Sequence, residues 1–248
     1  MLVAVFGDVH AHGDALDAVI DAAEERGVAE LWSLGDMVGG GPDPERAVAR
    51  IRERCTVALL GNHDYAATGS VDPERLGEPG SPAYRSLELA RKRLTGADVE
   101  WLRARKPAAR RDGVQCWHGS PRNAVWEFVG SSNARACLAA QRAELGFVGH
   151  THVAAAWRET PDGVAGRAKI RPGVPLNISA GKWLLNPGAV GGPAPSRLRW
   201  WDALAEQAAH GAFWLLIDLE ERTATWERAP YDPKPAHDRA RSLGLDCV

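Results

Sequence analysis

The stretch MLVAVFGDVHAHGDALDAVIDAAEERG, residues 1–27, sets the frame for the whole chain. LVAVF (2–6) is a short apolar run with the make-up of a buried strand. It breaks at the polar tip GDVH. DALDAVIDAAEERG (14–27) then places Leu16, Val19, Ile20 and Ala23 at helical spacing, with Gly27 as a stop. A strand that runs through a polar tip into an amphipathic helix opens a βαβ unit. The pattern recurs, because ELWSL (30–34) and CTVALL (55–60) are apolar runs with a helix-like segment, 44–53, between them. This alternation predicts a mostly parallel sheet.

Farther along, residues 64–81 are rich in Gly, Pro and Ser and read as a loop. Residues 82–104 read as helix with a break near Gly96, VQCWH (114–118) as a strand and 131–142 as a helix. The second half changes character. LGFVG (145–149), VAAAWRE (153–159), KWLLN (182–186), FWLLIDL (213–219) and TATWERA (223–229) are strand-like with little helix between them. With Glu220–Arg222 as a hairpin turn, they predict an antiparallel sheet. Residues 234–243 are set to close the chain as a helix. The region 187–212 is the least readable and is the natural place for a lid.

Composition narrows the class. Of 248 residues, 45% are hydrophobic and 25% charged, which fits a globular chain and excludes disordered, collagen-like and disulfide-rich secreted types. Thirty Lys and Arg against 32 Asp and Glu leave a net charge of -2, which argues against a general nucleic-acid or anionic-membrane binder. No apolar run approaches the ~18–20 residues needed to span a bilayer. The first residues lack a basic lead-in and read as a strand, not a signal peptide. Cys55, Cys116, Cys137 and Cys247 are scattered without a CxxC. They read as reduced thiols, three of them in the core, with a cytoplasmic location as the expectation.

Five of the eight histidines sit in short polar motifs directly after strand-like runs: Asp8-Val9-His10, Gly61-Asn62-His63-Asp64, His118-Gly119 and Gly149-His150-Thr151-His152, with Gly35-Asp36 as a further member. In an open α/β sheet, loops at the carboxyl ends of strands converge on one edge, where ligands bind. Glycine beside each polar group permits tight turns and close backbone approach. Imidazole nitrogen with carboxylate and amide oxygen suits Mn, Fe, Zn, Co or Ni better than Ca or Mg. There are too many donors for one tetrahedral site. Two metals ~3.5–4 Å apart, sharing one carboxylate, would use all of them.

The order DVH (8–10), GDMVGG (35–40), GNHD (61–64), WHGS (117–120) and GHTH (149–152) resembles that of the calcineurin-like metallophosphoesterase family. NPGAVG (186–191) is similar to a turn of its bacterial and archaeal YfcE-like phosphodiesterase branch. The likeness spans roughly residues 1–191. It implies an α/β chain folded as a four-layer α/β/β/α sandwich, a single phosphoesterase domain over 1–248 with an insertion at about 65–112 and the lid at 187–212. It also implies two divalent ions, manganese first, with iron, zinc, cobalt or nickel as options. Residue by residue, it places Asp8, His10 and His152 on one ion and Asn62, His118 and His150 on the other, with Asp36 bridging. His63 lies near the scissile phosphate, steadied by Asp64. Two divalent ions against Asp8, Asp36 and a bridging hydroxide leave about one net positive charge to attract a phosphate ester. The hydroxide attacks phosphorus in line, and His63 stabilises the transition state or protonates the leaving oxygen as general acid.

His12 stands where the family commonly has Asn or Ser, and is a candidate to face substrate. Arg122 follows HGSP and is a candidate to hold a phosphate oxygen bidentately. The phosphoprotein-phosphatase form Asp-Arg-Gly is absent, since Asp36 is followed by Met37-Val38-Gly39. That counts against phosphoprotein phosphatases and dinucleoside tetraphosphate hydrolases and favours diesters, which carry one charge fewer and need less clamping. The expected partner is a small phosphate ester, including nucleotides, with no membrane and no general nucleic-acid binding. The rival readings are a phosphomonoesterase, nucleotide or protein phosphatase, and a non-catalytic protein-binding scaffold of the retromer-subunit type. That scaffold lacks the histidine aligned with His63, which this chain retains. Among ten tryptophans, Trp200 and Trp201 beside Arg197 and Arg199 are candidates to stack on a base or to pack internally.

Overall fold

Strand β1 (Leu2–Phe6) alternates strictly: Val3 and Val5 face one apolar layer, Ala4 and Phe6 another. A strand apolar on both faces belongs inside a sheet that is covered on both sides, and that is where it lies in the computed structural model, which describes residues 1–159, 165–191 and 211–245. The elements that follow are α1 (Gly13–Glu25), β2 (Glu30–Ser33), α2 (Pro44–Arg54), β3 (Val57–Ala58), α3 (Asn62–Ala67), a 3₁₀ turn at Pro73–Arg75, α4 (Pro82–Arg93) and α5 (Gly96–Arg103). Then come β4 (Ala108–Arg111), β5 (Val114–Trp117), α6 (Ala134–Ala140), β6 (Leu145–Val148), β7 (Ala155–Glu159), β8 (Ala165–Arg167), β9 (Leu176–Asn177) and β10 (Trp183–Asn186). Strands β11 (Ala212–Asp218) and β12 (Thr223–Ala229) precede a helix at Lys234–Ser242.

The strands form two six-stranded mixed sheets, ordered β3-β2-β1-β11-β12-β9 and β4-β5-β6-β10-β7-β8. Three buried layers hold them together. One lies between the first sheet and the helices, with Phe6, Leu16, Ile20, Val48, Ile51, Leu87, Leu102 and Trp214. The second lies between the sheets, where Val3, Val5, Trp32 and Leu34 meet Cys116, Phe147, Leu185 and Trp226. The third packs Trp117, Val148, Trp157 and Leu184 on Ala134, Cys137 and Leu138 of the α6 segment. The result is the expected α/β/β/α sandwich. Burying one side chain of the size of Phe147 is worth about 2–3 kcal/mol.

Several expectations change. The second half does not make its own antiparallel sheet. Strand β11 returns to the first sheet and pairs antiparallel with β1, Leu2 opposite Asp218, while β6 pairs parallel with both β5 and β10. The cause is again two-faced burial: Ala212, Trp214 and Leu216 face the helices, and Phe213, Leu215 and Ile217 face the other sheet. The loop expected from residue 64 is helical at its start, as α3. CTVALL supplies only the two-residue β3. The low-propensity run Ala108–Arg111 is a strand because it pairs with β5. Leu87, Ala90, Leu94 and Leu102, from the expected insertion, join the same layer as α1 and α2.

Cys116 and Cys137 are buried free thiols and Cys55 is a half-buried one. No helix among the described residues is long and apolar enough to cross a membrane. The expected lid, apart from its ends, and Arg197, Arg199, Trp200, Trp201 and Cys247 lie outside the described residues.

Candidate metal centre

Each candidate donor follows the carboxyl end of a strand: Asp8 and His10 after β1, Asp36 after β2, Asn62 at the start of α3 after β3, His118 after β5, and His150 and His152 after β6. Within each sheet these strands run parallel, so their tips share one edge, where the two sheets meet. The tips are laced together by backbone. Asp8 donates its amide to Gly35, His10 to Asp36, Ala11 to Met37, and Gly149 to His118, over 2.8–3.0 Å. The His150 amide donates to both Asp8 carboxylate oxygens, at 3.0 and 3.1 Å. Gly61 lies so close to Asp36 that an added Cβ would fall 2.0 Å from Oδ1, so no side chain fits there. The turns are steep. Asp8, His10, Asp36, His150 and His152 all have φ between 48° and 64°, a region that ordinary side chains rarely adopt.

The side chains form three overlapping groups, one of them His10, Asp36 and His63. Asp8, His10 and His152 bring their donor atoms within 4.8 Å of one another, and so do Asp36, His118 and His150. Asp36 stands between them, with Oδ2 3.6 Å from His10 Nε2 and 3.5 Å from His118 Nε2. The donor atoms face one another in a way hydrogen bonds alone do not satisfy. His10 gives its Nδ1 proton to the Gly39 carbonyl at 2.7 Å, and His118 gives its own to the Leu34 carbonyl at 3.0 Å. Their Nε2 atoms are therefore lone pairs. The lone pair of His118 looks at Asn62 Oδ1 at 2.9 Å and His150 Nδ1 at 3.2 Å, and that of His10 at His152 Nε2 at 2.9 Å. His152 Nδ1 is buried without a partner among the described residues. Converging lone pairs and carboxylates repel until a cation sits among them, so the residues fit divalent metal ions.

The acid–base properties agree. Burial pushes Asp8 up to about 8, against the His150 amide that lowers it, and the Asp64 charge adds to the rise. Burial raises Asp36 well above the usual carboxylate range, helped by the charges of Asp64 and Asp8. Burial lowers His10 and His150 to about 4, and His118 and His152 well below 6.5. Without added positive charge the carboxylates hold protons and the imidazoles stay neutral. Neutral imidazole is the form that binds metal.

His63 stands on the rim. Its ring meets that of His10 edge-on with centroids 4.6 Å apart, and its amide donates to Asp36 Oδ1 at 2.9 Å. Desolvation, with the charges of His10 and His150, holds its pKa well below 6.5. Its Nδ1 is buried without a hydrogen bond and rests over Gly39. The expected grip of Asp64 on this ring is not how the residue is used. Asp64 Oδ1 accepts from the amides of Met37 and Val38, at 2.9 and 3.1 Å, and Oδ2 from that of Gly61 at 2.9 Å. Three buried amides claim the carboxylate, so Asp64 pins the first turn of α3 to the 35–40 loop and positions His63 through the backbone.

His12 is enclosed, 5% exposed, and packs against Gly191, while its carbonyl accepts from Leu16 at the start of α1. Arg122 is half-exposed and pairs with Glu127 at 3.6 Å, the ordinary ion pair, instead of joining the cluster. His237, outside any motif, is exposed. Sequence reading missed two contributors. Asn186 clamps the 149–152 loop by donating to the Gly149 carbonyl and Thr151 Oγ1, at 2.8 and 2.9 Å; the NPGAVG turn marked its place but not its partners. Phe128 stacks on His150 at 4.0 Å, and nothing in its local pattern announced it.

Comparison with known proteins gives the same picture. The calcineurin-like phosphoesterase superfamily domain matches residues 1–200. A metallophosphoesterase of Sphaerobacter thermophilus superposes with a TM-score of 0.82 at 29% identity, covering 99% of this chain and 94% of that one. Protein PH1004 of Pyrococcus horikoshii OT3 superposes with a TM-score of 0.74 at 20% identity, covering 98% and 94%. A protein of Methanocaldococcus jannaschii, MJ0912, is 24% identical over 244 residues, 96% of this chain and 91% of that protein. With most of its length matched and its metal-fitting cluster at the strand tips, the chain belongs to the calcineurin-like phosphoesterase superfamily.

Proposed function

We propose that the chain is a phosphodiesterase that works with two divalent cations, of which manganese is the first to test. The reading rests on one observation: Asp36 belongs to a donor group with His10 and to another with His118, and its Oδ2 is almost equidistant from their Nε2 atoms. Asp8, His10 and His152 would hold one cation, and Asn62, His118 and His150 the other. Bound there, the cations supply positive charge for phosphate oxygens and acidify water near neutral pH.

The protein's own part is positioning and proton handling. The strand tips hold the donors in place before substrate arrives, so little reorganisation is needed. His63 presents its accessible edge at the rim, beside both clusters, and donates a hydrogen bond or proton to the leaving oxygen. An anionic ester opposes the desolvation that keeps this ring neutral and favours its charged form. Diesters are preferred because Asp36 is followed by Met37 and not arginine, and because Arg122 is held by Glu127. A monoester dianion would ask for such a clamp.

The test is to load the purified protein with Mn²⁺, measure bound metal, and compare bis-p-nitrophenyl phosphate with p-nitrophenyl phosphate. Faster turnover of the diester, lost on chelation, is expected. Preference for the monoester would overturn the diester assignment, and failure to take up any transition metal would overturn the site.

A further inference from the structure

Three large hydrophobic side chains are exposed among the described residues: Phe128, Val174 and Leu243. Of these, Phe128 stands on the candidate metal centre. Its ring lies parallel to that of His150, 4° between planes and 4.0 Å between centroids, while 45% of the residue remains exposed. One face is covered by the imidazole. The exposure therefore falls on the rest of the residue.

The loop that carries Phe128 is built to hold it there. Ser120 Oγ accepts from the amides of Arg122 and Asn123, at 3.1 and 2.9 Å, and bonds to Glu127. Asn123 Oδ1 accepts from Val125 and Trp126, at 3.2 and 3.0 Å. The Phe128 carbonyl accepts from Asn133 Nδ2 at 2.9 Å. The His150 ring under Phe128 has Nδ1 3.2 Å from His118 Nε2. A second planar group sits alongside: the Arg75 guanidinium lies 3.8 Å over the Trp126 ring. A chain that only needed to cover His150 would bury this side chain. Instead, a flat apolar face is fixed in water beside a site that attracts phosphate.

We infer that Phe128 is a specificity-determining residue that stacks on a planar aromatic substituent of the phosphate ester, so that the substrate class is aryl or nucleoside phosphate esters and not alkyl ones. The inference rests on the proposed phosphoester site and deepens it. Phe128 stands one ring stack away from the Asp36, His118 and His150 cluster, within reach of a ring carried by a phosphate held there. Base–aromatic stacking tolerates any base because each has a π-face.

The test is calorimetric titration of the Mn²⁺-loaded protein with methyl phosphate, phenyl phosphate and thymidine 5′-monophosphate, for the wild type, Phe128→Ala and Phe128→Tyr. The wild type should bind at least one ring-bearing ester about tenfold more tightly than methyl phosphate. That preference should vanish in Phe128→Ala and return in Phe128→Tyr, with methyl phosphate affinity and metal content unchanged. Which of the two ring esters shows it separates an aryl from a nucleoside ligand. Equal affinity for all three esters in the wild type overturns the inference and leaves the phosphoester site standing. Uniform weakening of all three, or loss of metal, in Phe128→Ala makes the residue a cover for His150 and also overturns it. If the metal-loaded wild type binds none of the three monoesters, this inference falls, and the diester assay above decides the site reading separately.

Discussion

Replacing Gly39 with alanine tests the role of His63 without removing a single candidate donor. Gly39 has φ of 78°, and a Cβ built on it falls 2.5 Å from His63 Nδ1, 3.2 Å from His63 Cβ and 3.1 Å from Leu87 Cδ2. Ordinary contact begins near 3.4 Å, so the imidazole must retreat by about 0.9 Å. A misplacement of about 1 Å at a reacting group costs on the order of 10²-fold in rate. The left-handed backbone adds about 1–2 kcal/mol of destabilisation for a residue with a side chain. The Gly39 carbonyl still accepts from His10, so the metal sites are spared. Gly39→Ala should therefore bind metal as the wild type does, melt several degrees lower, and turn over bis-p-nitrophenyl phosphate about 10²-fold more slowly. The assay is steady-state hydrolysis at saturating Mn²⁺, with metal content measured on the same sample. Turnover within twofold of the wild type would refute the claim that His63 acts from its place over Gly39. Loss of metal would show instead that the effect runs through His10.

The remaining expectations concern the cluster. His63→Ala should retain metal and lose ~10²–10⁴ in rate, the usual scale for a general acid; elemental analysis showing metal loss would make His63 a ligand. Asp36→Asn should lower the content of both metals and nearly abolish turnover, because its Oδ2 faces both groups; retention of full metal content would count against a bridging role. Asp64→Ala strands the buried amides of Met37, Val38 and Gly61, each worth about 1–3 kcal/mol, and should lower the melting temperature more than Asp64→Asn does, as read by thermal denaturation. For metal-stripped protein, Asp8 is raised to about 8 and Asp64 to about 7, above their unfolded values. Protons bound to the folded form stabilise it fully below the unfolded value of 3.8, and that stability is lost progressively as pH rises from there through about 7–8. Melting curves at pH 7 and 9 should show this fall in stripped protein and little of it in metal-loaded protein.

Much of this site is legible in the sequence because its residues obey local rules. Each donor motif follows an apolar run and has a glycine in it or beside it, so the strand tip and the turn are both written in a few letters. The sandwich comes with the family likeness that these motifs carry; the runs alone predict a parallel sheet followed by a separate antiparallel one. What is illegible depends on distant partners. FWLLIDL looks the same whether it joins a late sheet or returns to β1, and only the burial of both its faces decides. Ala108–Arg111 has no strand pattern and is a strand because β5 offers an edge. Two of the three partners of Asp64, Met37 and Val38, lie 27 and 26 residues away in the loop that it pins, so proximity to His63 in the chain pointed to the wrong bond. Phe128 meets His150 through a loop whose shape is set by Ser120, Asn123 and Asn133, and only Ser120 belongs to a motif.

The left-handed backbone at Asp8, His10, Asp36, His150 and His152 has a consequence for how this chain can change over time. Glycine suits these five positions better than the residues that occupy them, on conformational grounds alone. Drift at any of them toward glycine would relax the main chain while erasing the chemistry. Inactive descendants of this fold are thus expected to be sturdier as empty proteins than the parent, and the working form depends on its ions for part of its cohesion.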